Sequence, residues 1–498
     1  MPYAELAKDL EREFMLRLVQ TVHHFIRKSP CHSSFFVLGG EPLPKCIRFQ
    51  RAQIELLGGC RLPGSPVWQD TPSAAPVEGT QRSSSAGASW LTHTPFSPKM
   101  ECVDYIKRTL EDPLNKALAR GRSAFLFGAR QTGKTTLAGR IPSAMRITLA
   151  QPDIRLRYER SPGLLRGEVE ALKKEGAQPP LVVLDEVQKV PSLLDEVQDL
   201  IDRRRARFIL TGSSARKLRR GSAANLLPGR VTVFHLDPLS LAERSPARLE
   251  DALLDGSLPG IVTTGDPADR EADLAAYVTT YLEEKIRAEA AVRSLGAFSR
   301  FLELAAAEAG GIVNLRGLAA DVGVAHTTIA AYYQILEDCL VTERIEPLTA
   351  SATRRKLTRS DKYLMFDMGV RRLAAREGRR VLPARWGQLF EQWVGLELVR
   401  ATRAARQARV RFWRDPDGPE VDWVIDGDGR YTPIEVKWTE TPDPSDARHL
   451  KRFLAEYPTA EPAYLVCRAA RKMKLGERIL AIPWQELASL QEVTATTP

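Results

Sequence analysis

The chain has 498 residues, 43% of them hydrophobic and 27% charged, with a formal net charge of +10. At roughly 150 residues per domain this length suggests about three domains, and the composition excludes wholesale disorder. No run of about 18 apolar residues occurs, which excludes a membrane-spanning helix.

The N-terminus, MPYAELAKDLEREF, is acidic where a secretory signal is basic and then apolar, so a cytoplasmic location without membrane contact is expected. The six cysteines, Cys31, Cys46, Cys60, Cys102, Cys339 and Cys467, have no CxxC spacing. They are expected to be reduced thiols that bind no metal. The basic balance favours contact with a polyanion such as DNA, although an Arg-rich composition also follows from a GC-rich genome.

Residues 3–28 read as one helix, with Leu6, Leu10, Phe14, Leu18, Val22 and Phe25 near one face. From Gly58 to Lys99 the sequence is rich in Pro, Ser, Gly and Thr and is expected to be disordered. Patterned sequence starts at Met100. Residues 1–99 are therefore read either as a partner-binding extension or as the product of a mis-assigned start, with Met100 the true one. From Ser123 onward AFLFG, LVVLDE, RFILTG and VTVFHL read as buried strands between helical segments, which implies βαβ units and a mostly parallel sheet.

The run Gly128, Ala129, Arg130, Gln131, Thr132, Gly133, Lys134, Thr135 and Thr136 follows a strand and precedes a helix expected to start at Lys134. Its G-x-x-x-x-G-K-T spacing suits a phosphate loop. The glycines let backbone N–H groups wrap the phosphates, and the helix N-terminus adds partial positive charge. Lys134 would reach the β and γ phosphates of ATP, and the Thr135 hydroxyl would ligate Mg2+. The strand LVVLDE delivers Asp185 and Glu186 beside that loop. Asp185 would hold Mg2+ through water, and Glu186 would polarise the attacking water. The strand RFILTGSS ends in Ser213 and Ser214, either sensors of the γ-phosphate or simple turn residues.

These motifs resemble an AAA+-type P-loop ATPase of the kind that carries a C-terminal DUF4143 region. GARQTGKTT, LVVLDEVQ, LTGSSARKL, LPGR and FHLDPLSLAE carry the resemblance. It runs on through GSLPG, YLEEKI, LEDCLV, FDMGVRRL, FEQWVGLEL, EVDWVI and EVKW, over about residues 104–485. It implies ATP binding and hydrolysis. In such ATPases a neighbouring subunit often donates an arginine to the site, so a homo-oligomer is a candidate assembly. Arg216, Arg219, Arg220 and Arg230 are the candidates, and Arg230 is favoured.

Residues 297–338 read as three helices with a Gly-containing turn between the second and third, followed by two strands around LVTERIEPL and DKYLMFD. The order resembles a winged-helix domain. Thr327, Thr328, Tyr332 and Tyr333 lie on the third helix, and the loop ATRRKLTRSDK would meet phosphate if the module reads DNA. The third helix carries no Arg or Lys, which counts against base readout. The equal alternative is a helical module used for packing or relay.

After Ala384 the order is helix, three strands, helix, strand. Asp422 falls on the second strand, and Glu435 and Lys437 fall on one face of the third. Hairpin signals at 415–418 and 426–429 would bring Asp422 beside them, with Glu391 on the preceding helix as a fourth member. Order and spacing resemble the PD-(D/E)XK nuclease core. The carboxylates would hold Mg2+ and Lys437 would orient its water, or the fold is retained without cleavage.

The expected fold class is thus α/β: a P-loop AAA+ parallel sheet with a helical lid, then a winged-helix-like module and a C-terminal PD-(D/E)XK-like αβββαβ domain. The expected boundaries are 1–99, 100–235, 236–295, 296–383 and 384–498. The expected function is ATP hydrolysis with Mg2+, coupled to a C-terminal module that handles nucleic acid or docks a partner. The alternative is an ATP-gated binding protein with an inactive nuclease-like domain.

Overall fold

In a computed structural model the described residues are 105–172, 178–214, 227, 229–282, 294–348, 360–405, 408–415, 418–427 and 429–490. The helix expected over 3–28, the rest of the first ninety-nine residues and Met100 lie outside them. So do Arg216, Arg219, Arg220 and residues 349–359 of the loop expected to meet phosphate. Everything below concerns the compact unit Ser97–Pro498.

The first layer is built from helix α1 (Glu111–Ala119), β1 (Ser123–Phe127), α2 (Lys134–Arg140), β2 (Met145–Thr148), α3 (Pro152–Arg160) and α4 (Leu164–Ala171). It continues with β3 (Leu181–Asp185), α5 (Leu193–Asp202), β4 (Arg207–Gly212) and β5 (Val231–His235). The strands form one sheet in the order β2-β3-β4-β1-β5, and every pairing is parallel. Every residue of β1 and β3 is buried. That is why both read as unbroken apolar runs: in a parallel sheet helices cover both faces. The register sets Phe127 beside Gly212 and His235, and Leu184 beside Leu210. The loops after β1, β3 and β4 therefore leave the sheet at the same edge. β2, with the sequence MRIT, was not expected; it is a short edge strand with one buried residue, too little apolar signal to stand out.

Helices α6 (Leu249–Asp255), α7 (Pro259–Thr263) and α8 (Pro267–Ala276) follow, then α9 (Leu295–Ala307), α10 (Leu315–Val322) and α11 (His326–Asp338). Local chemistry sets their ends. Asp266, Ser294 and Asn314 cap α8, α9 and α10 by accepting from Ala268, Ala297 and Gly317 N–H. Gly323 ends α10 at φ 77°, a left-handed position that favours glycine. The core here is aromatic, with Phe298 and Phe301 edge-on to Tyr332 and Tyr333. Tyr332 and Tyr333 thus point inward. α11 turns Thr327, Ala330, Ala331 and Gln334 outward instead. Strands β6 (Thr342–Ile345) and β7 (Lys362–Met365) pair antiparallel, and α12 (Met368–Ala374) follows, capped by Asp367.

The last layer starts with α13 (Trp386–Ala405). β8 (Arg409–Arg414), β9 (Glu420–Gly427), β10 (Arg430–Val436), α14 (Arg448–Glu456), β11 (Ala463–Cys467), β12 (Met473–Gly476) and β13 (Ile479–Pro483) follow. The expected helix, three strands, helix and strand are all present, and an unexpected hairpin, β12–β13, extends the sheet. The order is β12-β13-β11-β10-β9-β8. β8 to β10 form an antiparallel meander, and β11 joins β10 in parallel. Both faces are covered. Trp423, Ile425, Ile434 and Val466 pack under α13, whereas Trp413, Val421, Leu465 and Phe453 pack on the α14 side. A Cβ at Gly395 would lie 2.5 Å from the Trp423 ring, so only glycine lets α13 sit this close to β9. Inside this unit α13 also docks on the earlier layers: Glu397 accepts from Leu241 N–H at 2.7 Å, and Arg400 donates to Leu239 O at 3.0 Å.

Candidate active site

The loop after β1 is shaped by steric limits. A Cβ on Gly128 would lie 2.3 Å from Leu236 O, and Gly133 has φ 94°. Neither position suits a side chain. Helix α2 begins at Lys134, as the spacing predicts. Lys134 is buried, and its Nζ donates to the Gly128 and Ala129 carbonyls at 2.9 and 2.7 Å. Thr132 donates to Ala129 O at 3.0 Å. Arg130, Gln131, Thr135 and Thr136 are exposed. Arg108, which the sequence reading missed, ties the loop down from outside. It is buried, donates to Thr132 O at 2.7 Å and Asp237 O at 2.7 Å, and pairs with Glu243 at 3.1 Å.

Asp185 ends β3 directly across from α2. The Thr135 hydroxyl donates to it at 3.0–3.1 Å, and Thr211, at the end of β4, donates to Asp185 Oδ1 at 2.6 Å. Glu186 leaves the strand in the left-handed region, φ 59°, and its N–H donates to Thr211 Oγ1 at 3.0 Å. Its carboxylate accepts from Ser213 Oγ at 3.2 Å and from Gln188 Nε2. Gln188 also donates to Ser213 at 3.1 Å, so it joins two expected site residues. Its place two residues past Glu186, in a run expected to leave the strand, was the available clue. The structure thus brings together Lys134, Thr135, Asp185, Glu186 and Ser213. Arg230 does not join them. It precedes β5 at the opposite end of the sheet and makes a two-point pair with Asp202 at 2.6 and 3.0 Å. Thr135 and Asp185 offer the oxygen donors that a hard cation such as Mg2+ prefers.

A second cluster lies in the C-terminal layer. The Asp422 carboxylate accepts from Val436 N–H at 2.8 Å, and Lys437 Nζ donates to Glu435 Oε1 at 2.6 Å. His449 Nδ1 is 3.5 Å from the same oxygen. Glu435 is 1% exposed, and its Oε2 has no hydrogen-bond partner. Glu391 is held near by its own backbone, since Trp423 Nε1 donates to Glu391 O at 3.1 Å. Oxygens of Glu391, Glu420 and Asp422 lie within 4.8 Å of one another, a spacing that suits a metal ion. All four expected residues, Glu391, Asp422, Glu435 and Lys437, therefore converge. Burial, reinforced by the Glu391 and Glu435 charges, pushes the Asp422 carboxyl well above the usual carboxylate range. Burial pulls the Lys437 ammonium down, but Glu435 and Asp422 outweigh it and raise its pKa.

Two members were missed. Glu420 lies two residues before Asp422 on β9, so period-two alternation would have found it. Lys362 ends the loop ATRRKLTRSDK that was expected to meet phosphate, but the structure buries it at the start of β7 against Glu391 and Glu420, because the strand turns it inward.

Residues 120–245 match the AAA domain family. Residues 386–487 match a domain of unknown function, DUF4143, and residues 246–379 match another, DUF8612. The chain carries an AAA domain and a DUF4143 domain. The AAA domain is of the ATP-binding ATPase class, which agrees with the strand, loop and helix around Lys134. Uncharacterized proteins of Mycobacterium tuberculosis and Mycobacterium bovis are each 28% identical over 399 residues, covering 79% of this chain and 87% of the relative. A Walker-type ATPase of Pyrococcus abyssi is similar at 15% identity and TM-score 0.38, over 56% of this chain and 99% of that one. Cdc6p of Pyrobaculum aerophilum is similar at 14% identity and TM-score 0.22, over 56% and 97%. Among the described residues no helix is long and apolar enough to cross a membrane.

Proposed function

We propose that this chain hydrolyses ATP with Mg2+ at the edge of the parallel sheet and couples the cycle to its C-terminal module. The observation that carries the reading is the contact of Thr135 Oγ1 with Asp185 at 3.0 Å, beside Lys134 at the start of α2. Backbone N–H groups from Gly128 to Thr136 bind the phosphates, and Lys134 neutralises charge on the β and γ groups. Thr135 and Asp185 hold Mg2+, which stabilises charge on the leaving phosphate. Glu186 takes the proton of the attacking water. Ser213, tied to Glu186 through Gln188, senses the γ-phosphate. Arg230 sits too far along the sheet to serve this chain's own nucleotide, so it acts only on the nucleotide of a second copy.

We assign residues 100–235 to the ATPase core, 236–295 to its lid, 296–383 to a relay and 384–498 to the output module. The winged-helix order of the relay gives little support to base reading, because the outward positions of α11 carry no Arg or Lys. A metal-dependent phosphodiester reading of the output module is favoured by one observation. Glu435 Oε2 is a buried carboxylate oxygen without a partner, next to Asp422. There Asp422 and Glu435 would hold the ion, which would supply Lewis acidity for phosphodiester hydrolysis, and Lys437, paired with Glu435 Oε1, places an ammonium beside the reacting phosphate.

ATP turnover measured with Mg2+, with and without DNA, alongside size-exclusion chromatography, tests the assignment. Mg2+-dependent phosphate release is expected. Its absence overturns the ATPase reading, and a rate indifferent to duplex, single-stranded DNA and RNA removes nucleic acid as the coupled partner.

A further inference from the structure

Lys362, the last residue of the loop expected to meet phosphate, has no part in the ATPase or metal readings above. It opens β7, outside the DUF4143 layer, yet its side chain is 2% exposed and lies within that layer's acidic cluster. Its Nζ is 3.0 Å from Glu391 Oε1 and 2.6 Å from Glu420 Oε1. The faces of Phe412 and Trp423 lie 5.1 and 5.0 Å away. A buried ammonium is costly unless paired, and here two carboxylates and two ring faces hold it. Two carboxylates within ion-pair distance keep it an ammonium.

The remaining pair of carboxylates is served differently. Glu435 Oε1 takes Lys437, Asp422 takes a backbone N–H, and Glu435 Oε2 is left without a partner in a buried position. Lys362, with Arg414 at 3.4 Å from Glu420 Oε2, offsets Glu391 and Glu420, whereas Asp422 and Glu435 face Lys437 and, at 3.5 Å, His449, so the buried oxygen left for an added cation belongs to that second pair. Sites for phosphodiester chemistry commonly hold two metal ions roughly 4 Å apart.

We propose that this is a two-cation site in which Lys362 permanently supplies one cation, so that it takes a single divalent ion, held between Asp422 and Glu435. The inference rests on the metal-dependent reading of the C-terminal module. It adds the ion count and the source of the second charge. A tethered ammonium cannot be lost by dilution. Because it enters from β7, the site is complete only while β7 is docked on the C-terminal sheet. Nucleotide-driven movement of the relay thereby has a direct route to the acidic cluster.

The test counts Mn2+ bound to the full chain by electron paramagnetic resonance, without nucleotide and with Asp185→Asn to silence the phosphate site. One Mn2+ per chain is expected, and Asp422→Asn with Glu435→Gln should remove it. Lys362→Met should admit a second Mn2+, which adding Glu420→Gln should expel again. Because Lys362→Met leaves half-buried carboxylates facing each other and threatens folding, a second measurement keeps Lys362 intact. Reductive methylation read by mass spectrometry should leave Lys362 unmodified with or without Mn2+, while the more exposed Lys437 reacts. Two Mn2+ bound in the presence of Lys362, or methylation of Lys362 that appears on adding Mn2+, overturns the proposal and leaves the metal reading standing. No Mn2+ bound by any variant, with Lys362 still protected, overturns the metal reading itself and makes Lys362 a structural ion pair.

Discussion

At the phosphate loop the functional groups come from residues 128–136 and from the ends of two neighbouring strands. At the acidic cluster they come from β7, α13, β9 and β10, spread from Lys362 to Lys437. The first site works largely through backbone, with Thr135 and Thr136 open to solvent. The second works through buried charges that must balance one another. A site made by local backbone shape tolerates change elsewhere in the chain. A site made by charge balance is only as sound as its most distant contributor. The contrast predicts that single substitutions at the loop abolish chemistry and spare the fold, whereas single substitutions at the cluster endanger the fold first.

The largest expected effect is at the loop. Lys134→Ala should lower ATP turnover by about 10³-fold, since it removes the charge opposite the transferring phosphoryl group. The melting temperature should stay close to that of the parent chain. Glu186→Gln should reduce turnover by at least about 10²-fold and leave nucleotide binding intact, because the amide keeps the shape but takes no proton. Fluorescent-nucleotide titration beside a phosphate-release assay separates the two. Normal turnover in Glu186→Gln would move the base elsewhere. Unfolding of Lys134→Ala would break the contrast outright.

At the cluster, Lys362→Met should cost about 2 kcal/mol of stability, because it leaves the half-buried Glu391 and Glu420 carboxylates without their buried ammonium. Adding Glu391→Gln and Glu420→Gln should return much of it. The pH dependence has a definite sign. The Lys362 pKa is raised in the folded chain, with the Glu391, Glu420 and Asp422 charges overcoming burial. Its contribution is whole below about 10.4, the ordinary lysine value, and is lost as pH rises through the higher folded value. Denaturant unfolding from pH 9 to pH 11.5 should therefore show a steeper alkaline loss in the parent than in Lys362→Met. Equal slopes would mean that the ammonium is not held by its neighbours.

What the sequence made legible follows the same division. The Gly128–Thr136 run, Asp185 and Glu186 could be read because strand, loop and helix are set by nearest neighbours. Of the expected strands, β1 and β3 are continuous buried apolar runs, and β8 and β9 alternate. β2 and β12 escaped because MRIT and MKLG contain one buried residue each, whereas β13, ILAIP, is a buried apolar run that the same rule would have found. Asp422, Glu435 and Lys437 were found through alternation and hairpin turns, and Glu420 was within reach of the same rule. Lys362 was not, because the contact depends on β7 packing against α13 and β9, far away in sequence. Arg108 was missed for the same reason, since its partners Thr132, Asp237 and Glu243 lie on separate loops.

The smallest expected effect is that of Arg230→Ala, and it sharpens the comparison by asking whether the first site is truly local. Arg230 and Asp202 form an exposed pair, and exposed pairs contribute little because water and salt screen them. The melting temperature should therefore shift by no more than about one degree. Turnover in a dilute, monomeric sample should also be unchanged, because β5 pairs with β1 in parallel and Arg230 sits beyond its N-terminal end, while the phosphate loop leaves β1 at the other. If copies assemble, the outcome should depend on concentration: the parent's rate per chain rises as protein is added, and that of Arg230→Ala does not. Mixing Arg230→Ala with Lys134→Ala then gives a clear readout. The first chain keeps a loop that binds nucleotide and the second keeps the arginine, so the mixture should exceed the summed rates of its parts. Additive rates in the mixture, with a concentration-dependent rate in the parent, would assign the shared charge to a different residue and leave Arg230 a surface ion pair.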